Sequence, residues 1–175
     1  MKHLDRKVHK KAARVKLLLL DVDGVLTDGG IIIDSRGIET KRFDVKDGQG
    51  IALLVRAGIT VGFITSRTSR VVTRRAKELG VRIVYQGVRD KADAYKEIKK
   101  NTGFQDEQVA FVGDDVPDLV LMGRVGLAVA VKDSWPGVKL RADYVTTAKG
   151  GRGAVREVSD LLLKAQKTWR KLLTY

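Results

Sequence analysis

The chain contains no cysteine, which excludes disulfide staples and thiolate metal sites. Its two histidines, His3 and His9, lie in a basic leader away from every motif below and are expected to be solvated. No apolar run approaches the roughly 20 residues that span a bilayer. The nearest imitation of a signal peptide is the basic N-terminus followed by Leu17 to Leu20, but that core is too short and runs straight into Asp21. A cytoplasmic location with no membrane partner is the expectation. Aromatic residues make up only 6% of the chain, which bears on its formal net charge of +13. An excess of that size suggests nucleic acid as a partner. Its distribution argues otherwise. Residues 1–16 hold seven Lys/Arg against one acid, residues 152–175 hold six against two, and the 135 residues between carry only +3. The charge therefore sits at the termini, on no recognisable nucleic-acid element and with few aromatics to stack bases. Nucleic acid is not the expected partner. A basic rim equally suits steering of a small anion, an effect that weakens with salt.

At 175 residues the chain has the size of one domain able to bury a full core. Apolar runs alternate with helical patterns, without internal repeat or low-complexity linker. This predicts an α/β domain with a doubly wound parallel sheet. Residues 1–15 form the basic leader, where Leu4, Val8 and Ala12 at spacing four suggest a short helix. Residues 164–175, with Trp169, Leu172, Leu173 and Tyr175, form a C-terminal tail that either packs on its own core or reaches a neighbouring subunit. Ile31 to Ile33 and Ile38 to Phe43 flank the turn signal Asp34-Ser-Arg-Gly37, which predicts a β-hairpin after the first strand.

Four of the strand runs end in chemically distinctive residues. Leu17 to Leu20 reads as a buried parallel strand and leads into Asp21-Val-Asp23-Gly24. Residues i and i+2 share a strand face, so Asp21 and Asp23 are expected together at its carboxyl end, where open α/β sheets bind ligands. The alternative is an Asp-rich turn. Ile59 to Ile64 ends in Thr65-Ser66-Arg67 before a basic helical stretch from Thr68 to Leu79. A hydroxyl at such a junction either caps the helix or binds a phosphate at its terminus. Val81 to Tyr85 leads to Asp90, a sensible N-cap, and to Lys91, which in a first turn opposes the helix dipole. Lys91 therefore either has an anionic partner or is a solvated surface residue. Gln108 to Val112 ends in Gly113-Asp114-Asp115-Val116-Pro117-Asp118. Pro117 and Asp118 suit a helix start. Beside Asp21 and Asp23 on a neighbouring strand, Asp114 and Asp115 would make a cluster of hard oxygen ligands of the kind that takes Mg²⁺.

In that order, these four sites resemble the motifs of the haloacid dehalogenase superfamily of phosphotransferases. Asp21 to Gly29, the segment Lys46-Asp47-Gly48-Gln49-Gly50-Ile51, and Gly150-Gly151-Arg152-Gly153-Ala154-Val155-Arg156-Glu157 narrow the resemblance to its capless sugar-acid phosphatases, over roughly Val15 to Leu163. The resemblance implies that Asp21 is a nucleophile forming an aspartyl-phosphate and that Asp23 is the general acid and base. It implies that Thr65, with Ser66 beside it, and Lys91 hold the phosphoryl group. It also implies Mg²⁺ bound by Asp21, the Asp23 backbone carbonyl and Asp114, with Asp115 and Asp118 in support. Ser66 stands where many relatives carry glycine. Arg67 is the candidate for a substrate carboxylate, since a guanidinium fork suits bidentate recognition; pairing with a nearby Asp is the structural alternative. The implied substrate is 3-deoxy-D-manno-octulosonate 8-phosphate, with a nonulosonate 9-phosphate as the alternative, and the implied product is the free sugar acid for lipopolysaccharide synthesis. The implied assembly is a homotetramer whose subunits complete one another's sites, because a hairpin alone cannot exclude water. A reading of another class is a non-catalytic basic binding module on the same fold.

Overall fold

The structure, a computed structural model, describes residues 6–169. Six parallel strands form its central sheet: β1 (Leu17–Leu20), β4 (Thr60–Ile64), β5 (Ile83–Tyr85), β6 (Val109–Gly113), β7 (Leu127–Ala130) and β8 (Tyr144–Val145). A separate antiparallel pair, β2 (Ile32–Ile33) and β3 (Glu39–Thr40), makes the hairpin that follows the first strand. The helices are α1 (Arg6–Ala12), α2 (Val45–Arg56), α3 (Arg70–Glu78), α4 (Lys91–Thr102), α5 (Leu119–Met122), α6 (Pro136–Lys139) and α7 (Ala154–Ala165). Spatial strand order is β5-β4-β1-β6-β7-β8. The chain thus builds outward from β1 in one direction, then returns and builds outward from β6 in the other. The resulting switch point between β1 and β6 is where open sheets of this kind form their ligand crevice.

All four leucines of β1 are fully buried, as expected for a central parallel strand covered on both faces. Leu18 and Leu20 join a core with α1, α2, α3 and α7, whereas Leu17 and Leu19 join the opposite core with α4, α5 and α6. Burial of each leucine contributes about 1.5–3 kcal/mol. The sheet is therefore doubly wound, as the alternating pattern predicts. Val8, Ala12 and Val15 of the leader are buried against the first core, so its described part belongs to the domain. Leu4 lies outside the described residues.

The chain between β1 and α2 carries the hairpin and no inserted domain. Both strands of the hairpin are exposed or half-buried, with Ile31, Ile32, Ile33 and Ile38 each more than half exposed. Trp169 packs half-buried on the first core, with Arg156 and Lys164 over its ring. That part of the tail covers the core of its own chain. Leu172, Leu173 and Tyr175 lie outside the described residues. Among the described residues no helix is long and apolar enough to cross a membrane.

Candidate active site

Strand β1 stops at Leu20, before either acid, so alternation along the strand does not extend to Asp23. Asp21 still donates its backbone N–H to Val112 of β6 at 3.0 Å, while Asp23 already lies in the turn that follows. The two carboxylates take different ion partners, and a turn after the strand, not strand alternation, directs Asp23. Asp21, 7% exposed, turns toward β6 and α4. Asp23 turns toward the hairpin and accepts a hydrogen bond from Lys41.

Lys91 at the first position of α4 has its ammonium 2.6 Å from both Asp21 Oδ1 and Asp118 Oδ1, and the residue is 4% exposed. The anionic partners that offset its misplacement on the helix dipole are thus present. Asp90 caps the same helix by accepting from Ala92 N at 2.8 Å. Asp118 closes the turn after β6: its Oδ2 accepts from the backbone N–H of Asp114 at 2.8 Å and of Asp115 at 3.2 Å. This places Asp114 against Asp21. Carboxylate oxygens of Asp21, Asp114 and Asp118 lie within 4.8 Å of one another. Asp115 is exposed and spends its carboxylate capping the short turn through Val116 N.

Burial raises the Asp21 pKa well above the carboxylate range, opposed by Lys91 and reinforced by Asp118. Asp114 is pushed up to about 8 by burial and by the charges of Asp21, Asp118 and Asp115. Burial opposes the charge on Lys91, yet Asp21 and Asp118 outweigh it and raise its pKa. Three carboxylates and one ammonium leave the pocket two negative charges in excess when ionised. A divalent cation would cancel that excess, and hard oxygen donors suit Mg²⁺. Asp21 and Asp114 retain free acceptor capacity, whereas three donors already occupy Asp118.

Thr65 is buried at the end of β4, its N–H donating to Tyr85 O at 2.9 Å. Helix α3 begins at Arg70 after Ser69, so neither Thr65 nor Ser66 caps it. Ser66 is exposed. Arg67 Nη2 donates to Glu39 Oε1 at 2.9 Å, and its Nε lies 3.8 Å from Asp23 Oδ2. Arg67 is therefore paired with the hairpin of the same chain.

Three features around these residues escaped the sequence reading of sites. Gly24 adopts φ +92°, and a Cβ there would stand 2.1 Å from Asp114 Oδ2. Gly150 meets the same turn from the far side, where a Cβ would stand 1.7 Å from Gly24 O. The glycine-rich segment is held by Gly150 N to Asp133 at 2.9 Å and Gly151 N to Val25 O at 2.9 Å. Asp47, almost fully buried on α2, completes the clamp by accepting from Gly153 N at 3.2 Å and Arg156 N at 2.8 Å. The third feature is Lys41, whose ammonium reaches Asp23 from the hairpin. Its nearness in sequence to the hairpin turn was the only signal available.

The profile of the haloacid dehalogenase-like hydrolase family matches residues 81–158. The chain is 48% identical to the 3-deoxy-D-manno-octulosonate 8-phosphate phosphatase of Yersinia pestis over 159 residues, covering 91% of this chain and 85% of the relative. A phosphatase of the same description from Escherichia coli K12 is 48% identical over 156 residues, covering 89% and 83%. In three dimensions the chain is similar to the Moraxella catarrhalis phosphatase of that description, crystallised with a magnesium ion, a phosphate ion and a KDO molecule. The TM-score is 0.95 at 42% identity, with 97% and 98% of the two chains covered. The crystal structure of the Yersinia pestis phosphatase gives a TM-score of 0.93 at 47% identity, covering 94% and 89%.

Proposed function

This chain belongs to the haloacid dehalogenase family, in its branch of 3-deoxy-D-manno-octulosonate 8-phosphate phosphatases, and from that premise we propose how its site works. The protein is a Mg²⁺-dependent phosphatase that hydrolyses this eight-carbon sugar-acid phosphate to the free sugar acid and phosphate. The observation that carries the reading is the cluster of Asp21, Asp114, Asp118 and Lys91 at the switch point of the sheet.

In the proposed assignment, a carboxylate oxygen of Asp21 attacks phosphorus, the ester P–O bond breaks, and Asp23 gives its proton to the departing sugar oxygen. Asp23 then takes a proton from water, whose oxygen attacks the aspartyl-phosphate. Phosphate leaves and the Asp21 carboxylate is restored. Lys91 and Thr65 hold the non-bridging phosphoryl oxygens, where an ammonium and a hydroxyl offset charge spread over them. Asp21, the Asp23 backbone carbonyl and Asp114 would hold Mg²⁺, which supplies further charge neutralisation when bound. Asp118 supports them by fixing Lys91 and the Asp114 turn, and Asp115 supports that turn as its cap. Arg67 meets the substrate carboxylate only after exchanging its bond to Glu39.

The proposed assembly is a homotetramer in the cytoplasm, supported by the exposed isoleucines of a hairpin too small to close the site. Light scattering of the full chain tests it. Function is tested by Mg²⁺-dependent phosphate release from eight-carbon and nine-carbon sugar-acid phosphates, hexose phosphates and p-nitrophenyl phosphate. Preference for the eight-carbon substrate, abolished by EDTA and by Asp21→Asn, is the expected result. Preference for the nine-carbon acid would replace the substrate, and an active Asp21→Asn protein would overturn the mechanism.

A further inference from the structure

Lys41 is an unusual residue for its place. It follows a two-residue strand on an exposed hairpin, yet its side chain is 2% exposed. Burial of an ammonium is costly unless it is paired, and Lys41 has two carboxylate partners. It donates to Asp23 Oδ1 and lies 3.3 Å from Glu39 Oε1. A hairpin latch alone would be served by the Glu39 pair. The bond to Asp23 reaches into the site.

The two oxygens of Asp23 are treated differently. Oδ1 is held by Lys41, whereas Oδ2 is buried and has no hydrogen-bond partner among the described residues. Arg67 Nε stands 3.8 Å from it, beyond hydrogen-bond distance. A buried acceptor left open in a crevice needs a reason, because an unmade hydrogen bond there keeps the full desolvation penalty of the group. Substrate fills that vacancy if the open oxygen is the one that meets the scissile ester. The terminal torsion of Asp is broad, so without a tether the carboxyl would sample many orientations. Proton transfer needs a heavy-atom approach of roughly 2.6–3.2 Å.

We propose that Lys41 is a positioning residue that fixes Asp23 by one oxygen, so that its other oxygen delivers the proton to the leaving group. The inference rests on the phosphatase reading and deepens it. In the step concerned, the Asp21–phosphorus bond forms, the ester P–O bond breaks, and the proton passes from Asp23 Oδ2 to the ester oxygen. The hairpin then acts as more than a cover: docking of β3 orients the general acid.

Substituted phenyl phosphates test this, since they vary leaving-group basicity at nearly constant shape. An acidic leaving group such as p-nitrophenolate departs without help, while a basic one needs the proton. The value of kcat/KM is measured for wild type, Lys41→Met and Lys41→Arg with saturating Mg²⁺. This ratio covers steps only through departure of the leaving group, so later hydrolysis of the phosphoenzyme does not mask the effect. Lys41→Met is expected to lose less than about threefold on p-nitrophenyl phosphate and about 10–100-fold on the most basic phenol. Lys41→Arg is expected to restore most of the difference. Lys41→Gln is measured in parallel, so that a folding failure of the methionine variant leaves the comparison intact. An equal loss across the series would assign Lys41 a structural or binding role and overturn the inference, as would no loss at all. Wild type silent on every phosphate ester would instead sink the phosphatase reading itself.

Discussion

Replacing Lys91 with methionine takes the one ammonium out of a pocket that then holds three carboxylates. Methionine fills nearly the same space, so the perturbation is chiefly electrostatic. Lys91 is 2.6 Å from Asp21 and 2.6 Å from Asp118, and both pairs are buried. Removing one partner of a buried ion pair costs about 3–5 kcal/mol, because the remaining charge keeps its desolvation penalty. The carboxylates can escape part of that penalty by taking up protons, which makes the loss depend on pH. Burial already raises Asp21 and pushes Asp114 up to about 8 with the lysine in place, and its removal raises both further. A carboxyl whose folded pKa lies above its unfolded value binds a proton that the unfolded chain releases. Stability therefore falls as pH rises from the ordinary carboxylate range near 4 toward 8. Urea denaturation in EDTA reads this directly. Lys91→Met is expected to lose about 3–5 kcal/mol relative to wild type at pH 8, and at least about 1.4 kcal/mol less than that at pH 5.5. Millimolar Mg²⁺ should recover part of the loss at pH 8, because a cation is supplied where the ammonium was. Phosphate release should nonetheless fall at least about 100-fold, since the proposed contact to the transferring group is gone. An equal loss at the two pH values, or one under about 1 kcal/mol at pH 8, would refute the description of this pocket as a desolvated charge cluster.

Gly24→Ala places a Cβ against the Asp114 carboxylate on a left-handed backbone; titration calorimetry should show weakened Mg²⁺ binding, and thermal melts a loss of about 1–3 kcal/mol. Asp47→Ala leaves the N–H groups of Gly153 and Arg156 without their acceptor, so denaturation should show a loss of about 2 kcal/mol or more together with reduced activity. Glu157 is buried in part, but Tyr144, Thr147 and Ala148 donate to it and hold its pKa below the usual value. Its contribution is present above the unfolded pKa near 4.3 and is lost as pH falls through the folded one, so the stability gap to Glu157→Gln should be widest at neutral pH and close in acid.

The strand ends were legible because each announces itself locally. A run buried on both faces, as β1, β4 and β6 largely are, has nowhere to put a carboxylate or a buried hydroxyl of the site except beyond its last residue. Strand β5 is instead a half-buried edge strand, and Lys91 was marked by its place at a helix start. The alternation of runs and helical patterns carried the doubly wound sheet, and the paired isoleucine segments around Asp34 to Gly37 carried the hairpin. Local pattern could not say where β1 stops. With β1 ending at Leu20, Asp23 falls in the turn that follows, and its partner is Lys41, 18 positions onward. The glycine-rich segment was legible as a motif but not as a brace, because its partners Asp47 and Val25 belong to other elements.

Asp118 illustrates the physical reason most clearly. In sequence it is one more acid suited to a helix start. In space it accepts from Lys91, 27 residues earlier, and from the backbone of Asp114 and Asp115, so it joins the ammonium to the turn that carries a proposed metal ligand. That arrangement exists only because β1 and β6 are neighbours at the switch point, which brings the start of α4 beneath both strand ends. Periodicity reports the faces of a single element, whereas the electrostatics of this site are settled between elements. Substitutions of Lys91 or Asp118 should accordingly be non-additive. In urea denaturation at pH 8 the double Lys91→Met, Asp118→Leu protein should lose less stability than the two single losses added together, because each single change leaves the other member of one buried pair uncompensated.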